Sequence, residues 1–324
     1  MDPLQLHRDA IVIDGHCDTL LSVIEDKRSI VTRSEKGNND VPRLREGGVT
    51  AQIFALFAEP PSLGGVAPTW QALRLLDAFY QAMEQTPDLI LATRAADVRR
   101  AKAEGRLAGI IGLEGAEGLR GDLGVLRMLY RLGLRNLGLT WSVRNEAADG
   151  VFESRTGGGL TEFGVKLVKE CNRLGIMVDI AHLSPAGVRD VLALCEGPVV
   201  DSHANAQALC GHARNLSDEQ LDALAAKGGV VGVVFVPDFV ADDPAAKNLE
   251  MVLKHIDHIV HVVGEDHVGL GSDFDGFDGV LPGLEDATRF PAITEGLVAR
   301  GYSEEAVRKI LGGNWLRVFE QVAG

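Results

Sequence analysis

The chain has 324 residues, and 32 Lys and Arg stand against 46 Asp and Glu, a net charge of −14. That acidic balance excludes nucleic acid and anionic lipid as default partners, because both recruit an excess of basic side chains. Hydrophobic residues at 46% and charged residues at 24% are the proportions of a globular protein rather than a disordered one.

No apolar run approaches the roughly 18–20 residues needed to span a bilayer. The opening Met1-Asp2-Pro3-Leu4-Gln5-Leu6 has neither a basic nor a long apolar region, so no signal peptide is expected. Cys17, Cys171, Cys195 and Cys210 form no C-x-x-C pair. A reducing, cytoplasmic setting is the expectation.

In chain order, eight short apolar runs are legible: residues 11–16, 49–57, 109–114, 136–140, 176–182, 199–203, 230–235 and 268–273. Several are nearly continuous in Val, Ile, Leu and Gly, as strands buried on both faces of a parallel sheet are. Helical spacing of apolar residues marks 70–84, 123–132, 162–174, 185–194, 218–227, 249–263 and 303–310. Ser217 and Ser303 precede acidic first turns and read as N-caps. Alternation of strand and helix predicts an α/β fold. Eight strands favour a single (β/α)8 barrel, and no linker divides residues 1–324, so one domain is expected. The longest irregular stretches, 26–40, 59–68, 141–159 and 274–291, all follow strands. In a barrel they would emerge on the C-terminal face, where sites are built.

The strand ends carry the chemistry. His16 and Asp18 close the first run and, two apart in extended chain, point the same way. Glu114 ends the third, His182 the fifth, His203 the sixth and Asp273 the eighth. Each alone has an ordinary reading: a turn residue, a cap, a satisfied core histidine. Together they place three imidazoles and three carboxylates at one mouth, where burial is costly unless the groups pair or bind metal. Six such groups exceed what one catalytic zinc takes and suit two divalent ions about 3.5–4 Å apart. His255, His258 and His261 read as a solvated helix face, and His267 as structural. Cys17 reads as core packing. The Gly-rich 156–160 reads as a flexible loop, since no strand precedes it.

These segments resemble the membrane dipeptidase (renal dipeptidase) family of metallopeptidases, of the amidohydrolase superfamily. The matching stretches are Ile13-Asp14-Gly15-His16-Cys17-Asp18, Gly112-Leu113-Glu114-Gly115, Asp179-Ile180-Ala181-His182-Leu183-Ser184, Asp201-Ser202-His203, His212-Ala213-Arg214-Asn215-Leu216, Gly271-Ser272-Asp273-Phe274-Asp275-Gly276 and Gly312-Gly313-Asn314-Trp315-Leu316-Arg317-Val318-Phe319. The resemblance implies two zinc ions per chain, one on His16 and Asp18, the second on His182 and His203, with Glu114 bridging. It implies Asp273 as acid/base residue and Arg214 as holder of the substrate carboxylate. His212 falls just ahead of that arginine, with a helix-entry contact as its default reading.

The implied reaction is attack of a hydroxide shared by the two zincs on the peptide bond of a dipeptide with a free C-terminus, D residues at that end included. One departure stands out. Where the family often shows Leu-Thr-His, this chain has Leu139-Thr140-Trp141. Trp141 offers only an indole N–H, so Arg144 or Asn145 is the candidate for the missing polar contact, and Trp141 and Asn145 join the substrate-binding set. The departure also keeps a second enzyme in view, an amidohydrolase of lactones, cyclic amides or N-acyl amino acids. A non-catalytic binding protein would have lost a site residue, and none of the six is missing. The expected partners are a small-molecule dipeptide and, at most, a second copy of the chain; nucleic acid and membrane are not among them.

Overall fold

Runs of Val, Ile, Leu and Ala with little alternation have no face for water, and they are covered on both sides. In the computed structural model, which describes residues 2–324, the strands are β1 (Ile13–Cys17), β2 (Ala51–Phe57), β3 (Leu89–Leu91), β4 (Leu107–Glu114), β5 (Leu134–Gly138), β6 (Met177–Asp179), β7 (Val200–Ala204), β8 (Val230–Val233) and β9 (Val268–Leu270). All their pairings are parallel. Eight of them close on themselves in the order β1-β2-β4-β5-β6-β7-β8-β9, with Asp14 of β1 facing Leu270 of β9 at the seam. This is a (β/α)8 barrel.

β3 is the ninth strand and was not expected. Its three residues add to the start of β4, Leu89 opposite Leu107, and lie outside the closed ring. Three residues are too short a run for periodicity to register. The helices at Glu162–Leu174, Pro185–Leu194 and Leu249–Val263 begin and end where their spacing places them. Ser217 caps the helix Asp218–Ala226 with a reciprocal bond to Gln220, and Ser303 accepts from Ala306 N. The helices Ala95–Glu104 and Phe290–Ala299 went unread. The first is rich in Ala and charge, and the second opens on a proline taken as the end of a loop.

The C-terminal helix Asn314–Ala323 closes the lower end of the barrel. Trp315, Leu316, Val318 and Phe319 pack with Ile13, Ala51, Ala108, Met177, Val200 and Val230, which stand at or near the starts of their strands. Trp315 Nε1 donates to Leu270 O at 3.0 Å, so even its polar atom is satisfied. A Cβ on Gly15 would lie 2.4 Å from the indole, and one on Gly269 likewise 2.4 Å. The ring fits only because both strands carry glycine where it passes. Among the described residues, no helix is long and apolar enough to cross a membrane.

One sequence reading fails here. His255 is not on a solvated face. It is fully buried, its Nδ1 accepting from Ala206 N at 3.2 Å and its Nε2 donating to Val240 O at 2.8 Å. Two fixed backbone partners replace water, which spacing along one helix cannot reveal. His258 and His261 do reach solvent. His267 bonds Gly229 O at 2.8 Å, as a structural residue.

Candidate metal centre

At or just beyond their C-terminal ends, the strands β1, β4, β6, β7 and β9 deliver six side chains to one point. All six are buried, none more than 8% exposed. His16 Nε2 lies 3.4 Å from Asp18 Oδ2, 3.5 Å from Glu114 Oε2 and 3.7 Å from Asp273 Oδ1. The other oxygen of Glu114, Oε1, faces His182 Nε2 at 3.0 Å and His203 Nε2 at 3.9 Å. Glu114 therefore stands between two sets of donors with one oxygen toward each. Two overlapping triads, His16-Glu114-His203 and His16-Asp18-Asp273, each bring their donor atoms within 4.8 Å of one another.

Three of these side chains reach the centre in ways that strand parity does not describe. Asp18 has left β1 and sits at the N-terminus of the helix Thr19–Asp26. β6 ends at Asp179, and His182 follows in a turn with φ of 67°. β9 ends at Leu270, and Asp273 has φ of 61°. Left-handed backbone is uncommon outside glycine; Asp and His enter it more readily than most, and here neighbouring bonds hold it. The ties are visible. Asp14 accepts from Ser272 N and Ser272 Oγ at 2.7 and 2.6 Å, and Asp273 N donates to His16 O at 3.1 Å. Val151 N donates to His182 O at 2.7 Å.

Serines orient two of the imidazoles. Ser142 Oγ is 2.8 Å from His182 Nδ1, and Ser202 Oγ is 2.7 Å from His203 Nδ1. An Nδ1–H given to each serine leaves Nε2 as a lone pair aimed at the centre, as metal ligation requires. The sequence reading missed both serines. Ser202 adjoins His203 in the chain, a signal that was available; Ser142 meets His182 only through the fold.

The electrostatics fit a cation. Burial opposes charge on His16, but Glu114 and Asp18 outweigh it and hold the imidazole well above its ordinary range. Burial would raise Glu114, yet His16 and His182 draw it below the usual carboxylate range. Burial and the Arg214 charge push His182 down to about 3, and burial with His16 takes His203 well below its ordinary value. Burial, with Asp18 and Glu114 close by, pushes Asp273 well above a normal carboxyl. Asp18 Oδ1 is buried with no partner. Carboxylates that keep a neighbouring imidazole protonated, neutral imidazoles beside them and an unsatisfied oxygen are a donor set in want of positive charge.

Arg214 is buried beside them at 4% exposure. Its Nη2 donates to His203 O at 3.0 Å and its Nε has no partner. His212 Nδ1 accepts from Arg214 N at 3.2 Å, a turn contact within the loop rather than at a helix entry. Trp141 forms one wall of the mouth, with ring centroids 5.7 Å from His182, 6.1 Å from Phe57 and 5.9 Å from Phe152. Asn145 spends its amide on its own loop, Nδ2 to Leu139 O at 2.9 Å and Oδ1 from Ala147 N at 2.7 Å. Arg144 pairs with Asp149 and faces solvent. Burial pushes the Cys17 thiol well up, in keeping with core packing. Glu117, also unforeseen, is buried with neither oxygen bonded, and burial raises it to about 7.

A closed parallel barrel with buried imidazoles and carboxylates converging at its C-terminal mouth defines a metal-dependent hydrolase. The model of the membrane dipeptidase family, peptidase family M19, matches residues 3–324. The chain belongs to that family and is a metallopeptidase of dipeptidase type, whose cofactor is divalent metal. Among solved structures it is similar to a metallopeptidase from Rhodobacter sphaeroides liganded with a phosphinate mimic of the dipeptide L-Ala-D-Ala, at 35% identity and TM-score 0.89 over 97% of this chain and 100% of that one. The dipeptidase AC, a metallopeptidase of family M19, is similar at 36% identity and TM-score 0.89, over 97% and 99% of the two chains. An amidohydrolase from Pseudomonas aeruginosa is similar at 27% identity and TM-score 0.86, with both chains covered in full.

Proposed function

We propose that this protein hydrolyses dipeptides bearing a free C-terminal carboxylate, using two zinc ions held at the barrel mouth. The observation that carries the reading is Glu114, which offers one carboxylate oxygen to His16 and the other to His182 and His203. On this reading His16 and Asp18 hold one ion, His182 and His203 the other, and Glu114 bridges. Bound there, the ions would supply an ionised water near neutral pH and polarise the scissile carbonyl.

The remaining parts fall to this chain's own side chains. Asp273, with its carboxyl raised by burial, takes a proton from the attacking water and returns it to the departing amine. Arg214 is buried with its Nε unbonded, so it receives the substrate carboxylate, bidentate where geometry allows. Trp141 walls the mouth and packs on the substrate. Asn145 holds the loop that presents Trp141 and Ser142. D residues at the C-terminal position fall within the substrate class, because a neighbour at 35% identity holds a mimic of L-Ala-D-Ala.

The test is metal content together with a panel of L-Xaa-L-Xaa and L-Xaa-D-Xaa dipeptides, free and amidated, with and without a chelator. The expected result is close to two divalent ions per chain and chelator-sensitive cleavage of free dipeptides only. Arg214→Ala should remove the preference for the free acid, by roughly 2–5 kcal/mol, as for a buried charge pair losing one partner. Cleavage of lactones with no dipeptide touched would transfer the site to the second enzyme reading; metal-free activity would end both.

A further inference from the structure

Trp141 does not stand alone at the mouth. Its ring lies 6.1 Å from Phe57 and 5.9 Å from Phe152, both edge-on, and 5.7 Å from the imidazole of His182. Phe57 is the last residue of β2 and pairs in register with Glu114, the last residue of β4. The three rings therefore line one stretch of the rim, from β2 to the loop after β5, beside two of the metal donors. Phe57 and Trp141 are half-buried, and Phe152 is 60% exposed.

A single exposed apolar side chain is ordinary, but this one is held in place. Val151 N donates to His182 O at 2.7 Å and Phe152 N to Ser142 O at 2.8 Å. The main chain under the ring is thus fixed to a metal donor and to the serine that orients it. The ring is pinned at its base, set against Trp141 and bare on its outer surface. The reaction as described so far uses neither Phe57 nor Phe152.

Place around the barrel decides which part of a dipeptide meets these rings. Arg214 follows β7 and bonds His203 O. In the closed order β1-β2-β4-β5-β6-β7-β8-β9, β2 is four strands from β7 in either direction, and so stands across the bore from it. The donor atoms converge between those two sides. The α-carbons of a dipeptide are about 3.8 Å apart, with the peptide bond between them. With the carboxylate on Arg214 and the peptide carbonyl at the donors, the N-terminal residue lies on the side away from Arg214, toward the aromatic rim.

We propose that Phe57, Trp141 and Phe152 form the wall that receives the side chain of the substrate's N-terminal residue, and that Phe152 sets a preference there for apolar side chains, Leu and Phe over Gly. The proposal rests on the dipeptidase reading, with Arg214 as the carboxylate holder. It adds a selectivity that the donors and Arg214 cannot impose, because they read the peptide bond and the carboxylate of every dipeptide. An apolar side chain laid on these rings gains in proportion to the area removed from water.

The test uses metal-loaded enzyme and two series of substrates. The first is Gly-Ala, Ala-Ala, Leu-Ala and Phe-Ala; the second is Ala-Gly, Ala-Leu and Ala-Phe. In the parent enzyme kcat/KM should rise by about tenfold or more from Gly-Ala to Leu-Ala or Phe-Ala. Phe152→Ser should erase most of that rise and change the ratio of Ala-Phe to Ala-Gly by no more than about twofold. Phe152→Tyr, which keeps the ring, should keep the rise. The bonds that fix residue 152 are backbone bonds, so both variants retain them, and metal content checks that each is folded. A flat first series, a rise that Phe152→Ser leaves intact, a loss shared equally by Gly-Ala and Phe-Ala, or a loss confined to the second series overturns the wall and leaves the dipeptidase reading standing. A parent enzyme that cleaves no dipeptide overturns both.

Discussion

The two ends of the barrel use the same strands for opposite purposes. At the lower end, Trp315, Leu316, Val318 and Phe319 fill the bore with apolar surface, and the indole N–H is bonded to Leu270 O. At the upper end, Asp18 Oδ1, Glu117, Asp201 Oδ2 and Arg214 Nε are buried without partners. His182 and Asp273 there carry left-handed backbone, whereas the left-handed positions before the strands at the lower end, such as Gly133, Gly175 and Gly228, are glycine. Satisfied apolar packing stabilises the cylinder; unsatisfied polar groups in the same cylinder store capacity for a ligand. The contrast shows where stability is kept and where function draws on it.

Asp273→Asn is the sharpest way to test the upper end. It should keep the metal and lower kcat by roughly 10²–10⁴, the usual contribution of an acid/base group, in steady-state assays paired with metal analysis. An unchanged kcat would remove Asp273 from that part. Trp315→Ala should do the reverse, costing about 3–5 kcal/mol in denaturant unfolding while the folded fraction keeps its kcat. If Trp315→Ala alters turnover without loss of stability, the two ends are not separable as argued.

Ser202→Ala acts between these extremes. It removes the partner of His203 Nδ1 and should weaken metal binding by about 10–100-fold in competition with a chromogenic chelator, with little effect on the metal-saturated rate. His255 gives the smallest effect. It is buried behind the mouth but fully bonded, and burial lowers it to about 4. The unfolded chain takes up a proton near pH 6.5 that the folded chain refuses until about pH 4, so stability falls as pH falls through that window. The loss should be about 1 kcal/mol between pH 6.5 and 5.5, and His255→Gln should flatten it.

Much of this was legible in the chain, for reasons that can be named. Most of the ring is buried on both faces, so, although β1, β5 and β7 are broken by polar residues, strands such as β2, β4 and β8 left nearly continuous apolar runs. β3 left none, because three residues on the flank of β4 need no pattern of their own. Glu114 and His203 stand on strands, where the sequence reading put them. Asp18, expected by strand parity, and His182 and Asp273, expected at strand ends, come to the same point by other routes. A helix cap and two left-handed turns bring them in. His255 was misjudged because its partners, Ala206 N and Val240 O, lie 49 and 15 residues away.

The order of residues alone determined the alternation of strand and helix, the ring of eight strands and the identity of the six groups at its rim, since hydrophobic periodicity and residue chemistry are local properties. Only the folded chain decided which oxygen of Glu114 meets which imidazole, which serines orient His182 and His203, and that Arg214 lies buried beside the metal donors with its Nη2 on His203 O. Those relations depend on distances between segments far apart in the chain, and a distance through space is set by packing rather than by spacing along a sequence.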